Sequence, residues 1–215
     1  MRERNIGWRT IILVPTAEVA NSWIDMLWRF TGESAVHIDN RDWFKDKKKM
    51  MFLQSIGVWI AMYTKIRIED YFEFIKANIH PQHSYIVADE VHKCGNDTAK
   101  QSQRLVELMN QVPWFTGLTG TEFGGSVAGY RTVYQIATGV EHDPSSWNSY
   151  LSNGLTGPDG KPKWSDARLK SLRAIRGTYA LRREKSAVAE LPPLTGPIPI
   201  TIQMTNEHRK AYTEL

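Results

Sequence analysis

The sequence predicts an α/β fold, a parallel β-sheet flanked by helices. Three observations predict it. Short apolar runs recur through the first 120 residues, the first of them rich in β-branched residues. Amphipathic stretches with helical spacing separate them. Pro and polar turn residues mark the boundaries. Strands that alternate with helices call for parallel pairing through right-handed crossovers.

Taken in order, Thr10–Val14 is a β-branched run that stops at Pro15, the pattern of a buried strand. Val19, Trp23, Leu27 and Phe30 then fall on one helical stripe, giving a helix over about residues 17–30. Ala35–Ile38 is a second, weaker strand. Arg41–Met51 is basic, with five cationic and two acidic residues around Trp43 and Phe44. Val58–Met62 is the third strand, followed by a helix carrying Ile68, Tyr71, Phe72 and Ile75, which ends before Pro81. Tyr85–Ala88 is the fourth. A polar turn and a helix with Leu105, Val106, Leu108 and Met109 lead to the fifth, Trp114–Leu118.

Beyond about residue 125 the character changes. Gly, Pro, Ser and Asn gather between Asp143 and Lys163, including the turn sequence Gly157-Pro158-Asp159-Gly160. Asp166–Arg176 is basic and helical in pattern, and Leu191–Pro197 reads as a linker. Ile198–Met204 reads as a strand, and Thr205 as the cap of a last helix with Glu207 in its first turn. No internal repeat is present.

Composition sets outer bounds. The 215 residues carry 27 Lys and Arg against 23 Asp and Glu, a net charge of +4, and are 41% hydrophobic. That is enough chain and apolar content for a real core, and it excludes collagen-like and wholly disordered classes. No apolar run approaches the roughly 18 residues of a membrane span. Met1-Arg2-Glu3-Arg4-Asn5 has no apolar segment behind it, so no secretory signal is expected. Cys94 is the single cysteine and forms no internal disulfide, which fits a reducing, intracellular compartment, cytoplasmic or nuclear. The charge balance permits nucleic-acid binding without requiring it.

In open parallel sheets ligands gather at the carboxyl ends of the strands, and three polar groups fall there. Pro15-Thr16 follows the first strand, Asp89-Glu90-Val91-His92 the fourth, and Thr119-Gly120-Thr121 the fifth. Adjacent carboxylates at a strand end suit nucleotide chemistry. Asp89 can hold Mg²⁺, and Glu90 can polarise a water for attack on a γ-phosphate. The alternative is a solvated turn. Thr119-Gly120-Thr121 offers hydroxyls and backbone amides to phosphate or to the acidic group, or is simply a tight turn.

Order and spacing carry more than any one group. Thr10-Ile-Ile-Leu-Val-Pro-Thr followed by Asn21-Ser-Trp resembles motif Ia of superfamily-two helicases, specifically the Swi/Snf-type ATPases. Gly57-Val-Trp-Ile-Ala-Met-Tyr-Thr-Lys resembles motif Ib. Tyr85-Ile-Val-Ala-Asp-Glu-Val-His is similar to the DEAH-box motif II, and Leu118-Thr-Gly-Thr to motif III. The block Leu181-Arg-Arg-Glu-Lys through Leu191-Pro-Pro and the run Thr205-Asn-Glu-His-Arg-Lys-Ala-Tyr resemble segments before and at the start of the family's second lobe.

The resemblance implies a RecA-like first lobe over 1–125 that is incomplete, a helical protrusion with a basic segment over 126–190, and a linker with the start of a second lobe over 191–215. It implies ATP and Mg²⁺ as cofactors and double-stranded DNA as partner. Asp89 would ligate Mg²⁺ through ATP, Glu90 would position the attacking water, and His92 with Thr119, Gly120 and Thr121 would couple nucleotide state to DNA. Pro15, Thr16, Tyr63, Thr64 and Lys65 would lie along the DNA backbone. The parent would be a DNA-dependent ATPase that translocates on duplex DNA or remodels nucleoprotein complexes.

Two departures matter. No Gly-x-x-x-x-Gly-Lys-Ser/Thr sequence occurs, since Gly160-Lys161 is followed by Pro162. Glu122 stands where the family usually has Pro. The phosphate loop and second lobe are expected in the same or another chain, and this chain alone is expected not to hydrolyse ATP. The alternatives are a non-catalytic DNA-binding or scaffold piece and one half of a split ATPase. The lysines at 45, 47, 48 and 49 and the basic run Leu169–Lys185 either track phosphates or form solvated surface. His37, His80, His83, His142 and His208 have no ligand spacing.

Overall fold

The structure, a computed structural model, describes residues 9–120, 127–140, 143, 145–147, 165–167, 170 and 174. The expected domain boundaries near 125 and 190 lie outside these residues, as do the expected strand Ile198–Met204 and the helix after Thr205.

Five strands form one sheet: β1 (Arg9–Val14), β2 (Ala35–His37), β3 (Val58–Met62), β4 (Ser84–Ala88) and β5 (Trp114–Gly117). Their order is β2-β3-β1-β4-β5. Every pairing is parallel, with Ile12 opposite Ile60 on one side and Val87 on the other. The expected strands match these within a residue or two at either end. Helices α1 (Ala17–Thr31), α2 (Asp42–Lys45), α3 (Lys47–Ser55), α4 (Tyr63–Ile66), α5 (Glu69–Ala77), α6 (Lys100–Met109) and α7 (Val127–Thr138) accompany the sheet among the described residues, with a 3₁₀ turn at Val91–Cys94.

Strand order dictates which face each helix covers. The step from β1 to β2 runs one way across the sheet, and the other three steps run the opposite way. Right-handed crossovers therefore place α1 on one face and the remaining connecting helices on the other. The core divides accordingly. Ile12, Val14, Ile60 and Val87 face α1 through Ala20, Val19, Trp23, Ile24 and Leu27. Ile11, Leu13, Trp59, Ala61, Ile86 and Ala88 face Leu53 of α3, Phe72 and Ile75 of α5, and Leu105 and Leu108 of α6. The alternation along each strand is the period-two pattern of a sheet buried on both sides.

Local chemistry fixes the helix ends. The Thr16 hydroxyl caps α1 by accepting from the Val19 N–H at 3.4 Å, and Glu18 lies in the first turn. Gly32 ends α1 at φ 69°, a left-handed conformation that glycine adopts without strain, and its N–H reaches the Trp28 carbonyl. Asp46 caps α3 by accepting from the amides of Lys48 and Lys49 at 2.8 and 3.2 Å. This cap turns the basic run into a helix that sequence periodicity does not reveal. Between α5 and α6, Arg104 pairs with Glu69 and lies 3.8 Å over the Phe72 ring. Among the described residues no helix is long and apolar enough to cross a membrane.

Candidate nucleotide site at the carboxyl edge

The face switch locates the site. The loop after β1 departs to one face of the sheet, whereas the loops after its neighbours β3 and β4 depart to the other. A crevice opens where adjacent connections diverge in this way. Pro15-Thr16, Tyr63-Thr64-Lys65 and Asp89-Glu90 are the residues that follow these three strands.

Asp89 is held from three elements. Its N–H donates to the Leu13 carbonyl at 2.8 Å, which extends the β1–β4 pairing by one residue. Its own carbonyl accepts from the Tyr63 hydroxyl at 2.8 Å. Its Oδ2 accepts from Trp23 Nε1 at 2.9 Å. No hydrogen bond reaches Oδ1 among the described residues, so that oxygen remains available.

Glu90 follows at φ 51°, the one non-glycine residue at positive φ among those described. A left-handed conformation costs a carboxylate side chain about 1 kcal/mol or more, and such strain concentrates at functional turns. The turn swings the chain into Val91–Cys94, where buried Val91 donates its N–H to the Leu118 carbonyl at 2.9 Å. Leu118 in turn donates to the Ala88 carbonyl at 2.8 Å, so the ends of β4 and β5 are tied together. Gly117 is needed for this approach, because a Cβ there would lie 3.0 Å from Val91 Cγ1.

His92 joins the two segments. Its Nδ1 lies 2.8 Å from Thr119 Oγ1 and 3.1 Å from Glu90 Oε2. The Glu90 contact lacks hydrogen-bond alignment and Oε2 is otherwise enclosed, so the Thr119 hydrogen bond is the firm one. The two segments expected to communicate are thus in contact through one imidazole. Gly120 is exposed beside them, and Thr121 lies outside the described residues, as does Glu122.

Of the residues expected along DNA, Thr16 and Thr64 are exposed and Pro15 is half-buried. Lys65 is half-buried and donates from Nζ to the Asp39 carbonyl at 2.6 Å. Tyr63 differs from that expectation. Its side chain is 3% exposed and turned inward to Asp89. Burial, with Cys94, Asp89 and Glu90 nearby, pushes its phenol far above the usual tyrosine range. Cys94 is buried under the same turn, and burial pushes its thiol up to about 12, which leaves it inert.

Trp23, which the sequence places in the resemblance to motif Ia without a role at the acidic pair, is a residue of the site. Its helical spacing places it with the core of α1, and only the fold reveals that its indole N–H reaches a carboxylate 66 positions away. Among the described residues no group of three or more His, Cys, Asp or Glu forms a self-contained metal site. Mg²⁺ that travels on nucleotide phosphate takes one or two protein carboxylates and fills its shell with phosphate and water. Asp89, with Oδ1 available, fits that requirement.

A parallel sheet with these helices and an acidic pair at its switch point is a RecA-like α/β lobe. The chain matches the SNF2-related domain over residues 1–215, and it belongs to that family. No curated protein matches it by sequence. Among solved structures, the Sulfolobus solfataricus SWI2/SNF2 ATPase core in complex with dsDNA is similar, with a TM-score of 0.65 at 20% identity over 87% of this chain and 37% of that one. The Pyrococcus furiosus Hef helicase domain aligns with a TM-score of 0.46 at 14% identity, over 80% of this chain and 45% of that one. The chain therefore spans less than half the length of either structure.

Proposed function

We propose that the chain supplies first-lobe machinery to an ATP-driven motor that translocates on double-stranded DNA or remodels nucleoprotein complexes. The observation that carries this reading is the meeting of Asp89, Glu90, His92 and Thr119 at the switch point of the sheet. Asp89, with Oδ2 bonded to Trp23, would hold the Mg²⁺ of ATP through Oδ1, and the ion would offset the phosphate charge. Glu90 orients the attacking water and takes its proton. His92 is hydrogen-bonded to Thr119 and lies against Glu90, so a change at the nucleotide that moves Glu90 reaches the end of β5.

Duplex DNA as partner is supported by the exposed Thr16 and Thr64 at the same edge and by the similar fold of an ATPase core solved with dsDNA. Such hydroxyls, with backbone amides, suit phosphate contacts that position without reading sequence. The 215 residues contain no phosphate-loop sequence, so the β- and γ-phosphates take their remaining contacts from other segments of the motor. The test is DNA-stimulated ATP hydrolysis by the full-length protein and by its Glu90→Gln variant.

A further inference from the structure

We infer that Trp23 is a positioning residue that orients the Asp89 carboxylate for metal and ties it to the DNA-facing end of α1. The inference rests on the proposed function, in which Asp89 meets Mg²⁺ carried by ATP. An indole N–H only donates, and a carboxylate is its strongest acceptor. With Oδ2 engaged by Trp23 at 2.9 Å, the carboxylate plane is fixed and Oδ1 is the oxygen left to face a ligand. The Asp89 main chain is pinned at its N–H by β1 and at its carbonyl by Tyr63. Backbone position and side-chain rotation are therefore set by different elements, and rotation depends on Trp23.

The indole is itself well supported. It packs with Val19, Ile24 and Leu27 over the sheet face formed by Ile12, Val14, Ile60 and Val87. Trp23 rides on the helix that Thr16 caps, seven residues and about 10 Å along the axis at 1.5 Å per residue. α1 is one continuous helix from that cap to Gly32. A phosphate contact that shifts the Thr16 end moves the indole, and with it the oxygen bonded to it. Trp23 thus connects the Pro15-Thr16 segment to the metal-facing carboxylate through a single rigid element.

The test uses Trp23→Phe, which keeps an aromatic ring and deletes the donor. In the full-length protein, half-saturating Mg²⁺ for DNA-stimulated ATP hydrolysis should rise about tenfold, the usual scale for losing a group that orients a metal ligand. Leu27→Ala, which loosens the same face of α1 without touching Asp89, should lower the melting temperature and leave the Mg²⁺ curve in place. The second readout is spectroscopic. Mn²⁺ added with ATP should broaden the Trp23 indole ¹H–¹⁵N signal before the other indole signals, and Asp89→Asn should abolish that selectivity. A Mg²⁺ curve in Trp23→Phe that superimposes on wild type, beside an inactive Asp89→Asn, overturns the inference and leaves the proposed function standing. If Asp89→Asn also keeps the wild-type Mg²⁺ dependence, both fall.

Discussion

Substituting Gly117 by Ala tests how tightly β5 is locked to the acidic turn. The added Cβ would sit 3.0 Å from Val91 Cγ1, 3.4 Å from Val91 Cβ and 3.5 Å from Phe115 Cε1. Carbon atoms in good contact are about 3.5–4.0 Å apart, so Val91 must retreat by roughly 0.5 Å. It has little room, being 2% exposed and hydrogen-bonded from its N–H to Leu118, the residue after Gly117. Overpacking of this kind costs roughly 1–3 kcal/mol. A central value of about 2 kcal/mol lowers the melting temperature by roughly 4–8 °C in a chain of this size. Thermal and urea unfolding of Gly117→Ala read the loss. Val91→Ala removes the clashing methyl, so the double variant should recover about 1 kcal/mol relative to the sum of the single changes. A Gly117→Ala variant melting within about 1 °C of wild type, or strict additivity in the pair, refutes the packing on which the estimate rests.

Two further outcomes follow from the same structure. Burial holds the His37 imidazole below its ordinary value of about 6.5, and its Nε2 is enclosed without a hydrogen-bond partner. The unfolded chain therefore binds this proton at higher pH than the folded one, so the His37 contribution is fully present above about pH 6.5 and is lost as pH falls toward the lower folded value. Urea unfolding at successive pH values should show that decline, reduced in His37→Gln. Tyr63→Phe removes the hydroxyl that donates to the Asp89 carbonyl and should cost about 1 kcal/mol, or roughly 2–4 °C.

How much was legible in the sequence follows physical lines. The strands were, because apolar runs such as Thr10–Val14, which stops at Pro15, and Val58–Met62 are buried on both faces of the sheet. The acidic pair and Thr119 were legible as strand-end groups. α3 was not, since three consecutive lysines mask a helix that depends on the Asp46 cap. α4 has four residues, too few to show a period. Tyr63 reads as a polar surface candidate after β3, yet its ring fills the core and its hydroxyl finds Asp89. The Trp23–Asp89 bond spans 66 positions and exists only because one crossover alone turns α1 onto its own face. Spacing within a sequence carries no trace of such a contact.

The proposed function stands most directly on Glu90. The measurement is DNA-stimulated ATP hydrolysis by the full-length protein, wild type beside Glu90→Gln, with nucleotide binding followed in parallel. The amide is isosteric and cannot take a proton from the attacking water, so nucleotide binding should persist while the stimulated rate falls about 100-fold or more. A Glu90→Gln protein that hydrolyses ATP at the wild-type DNA-stimulated rate would contradict the account.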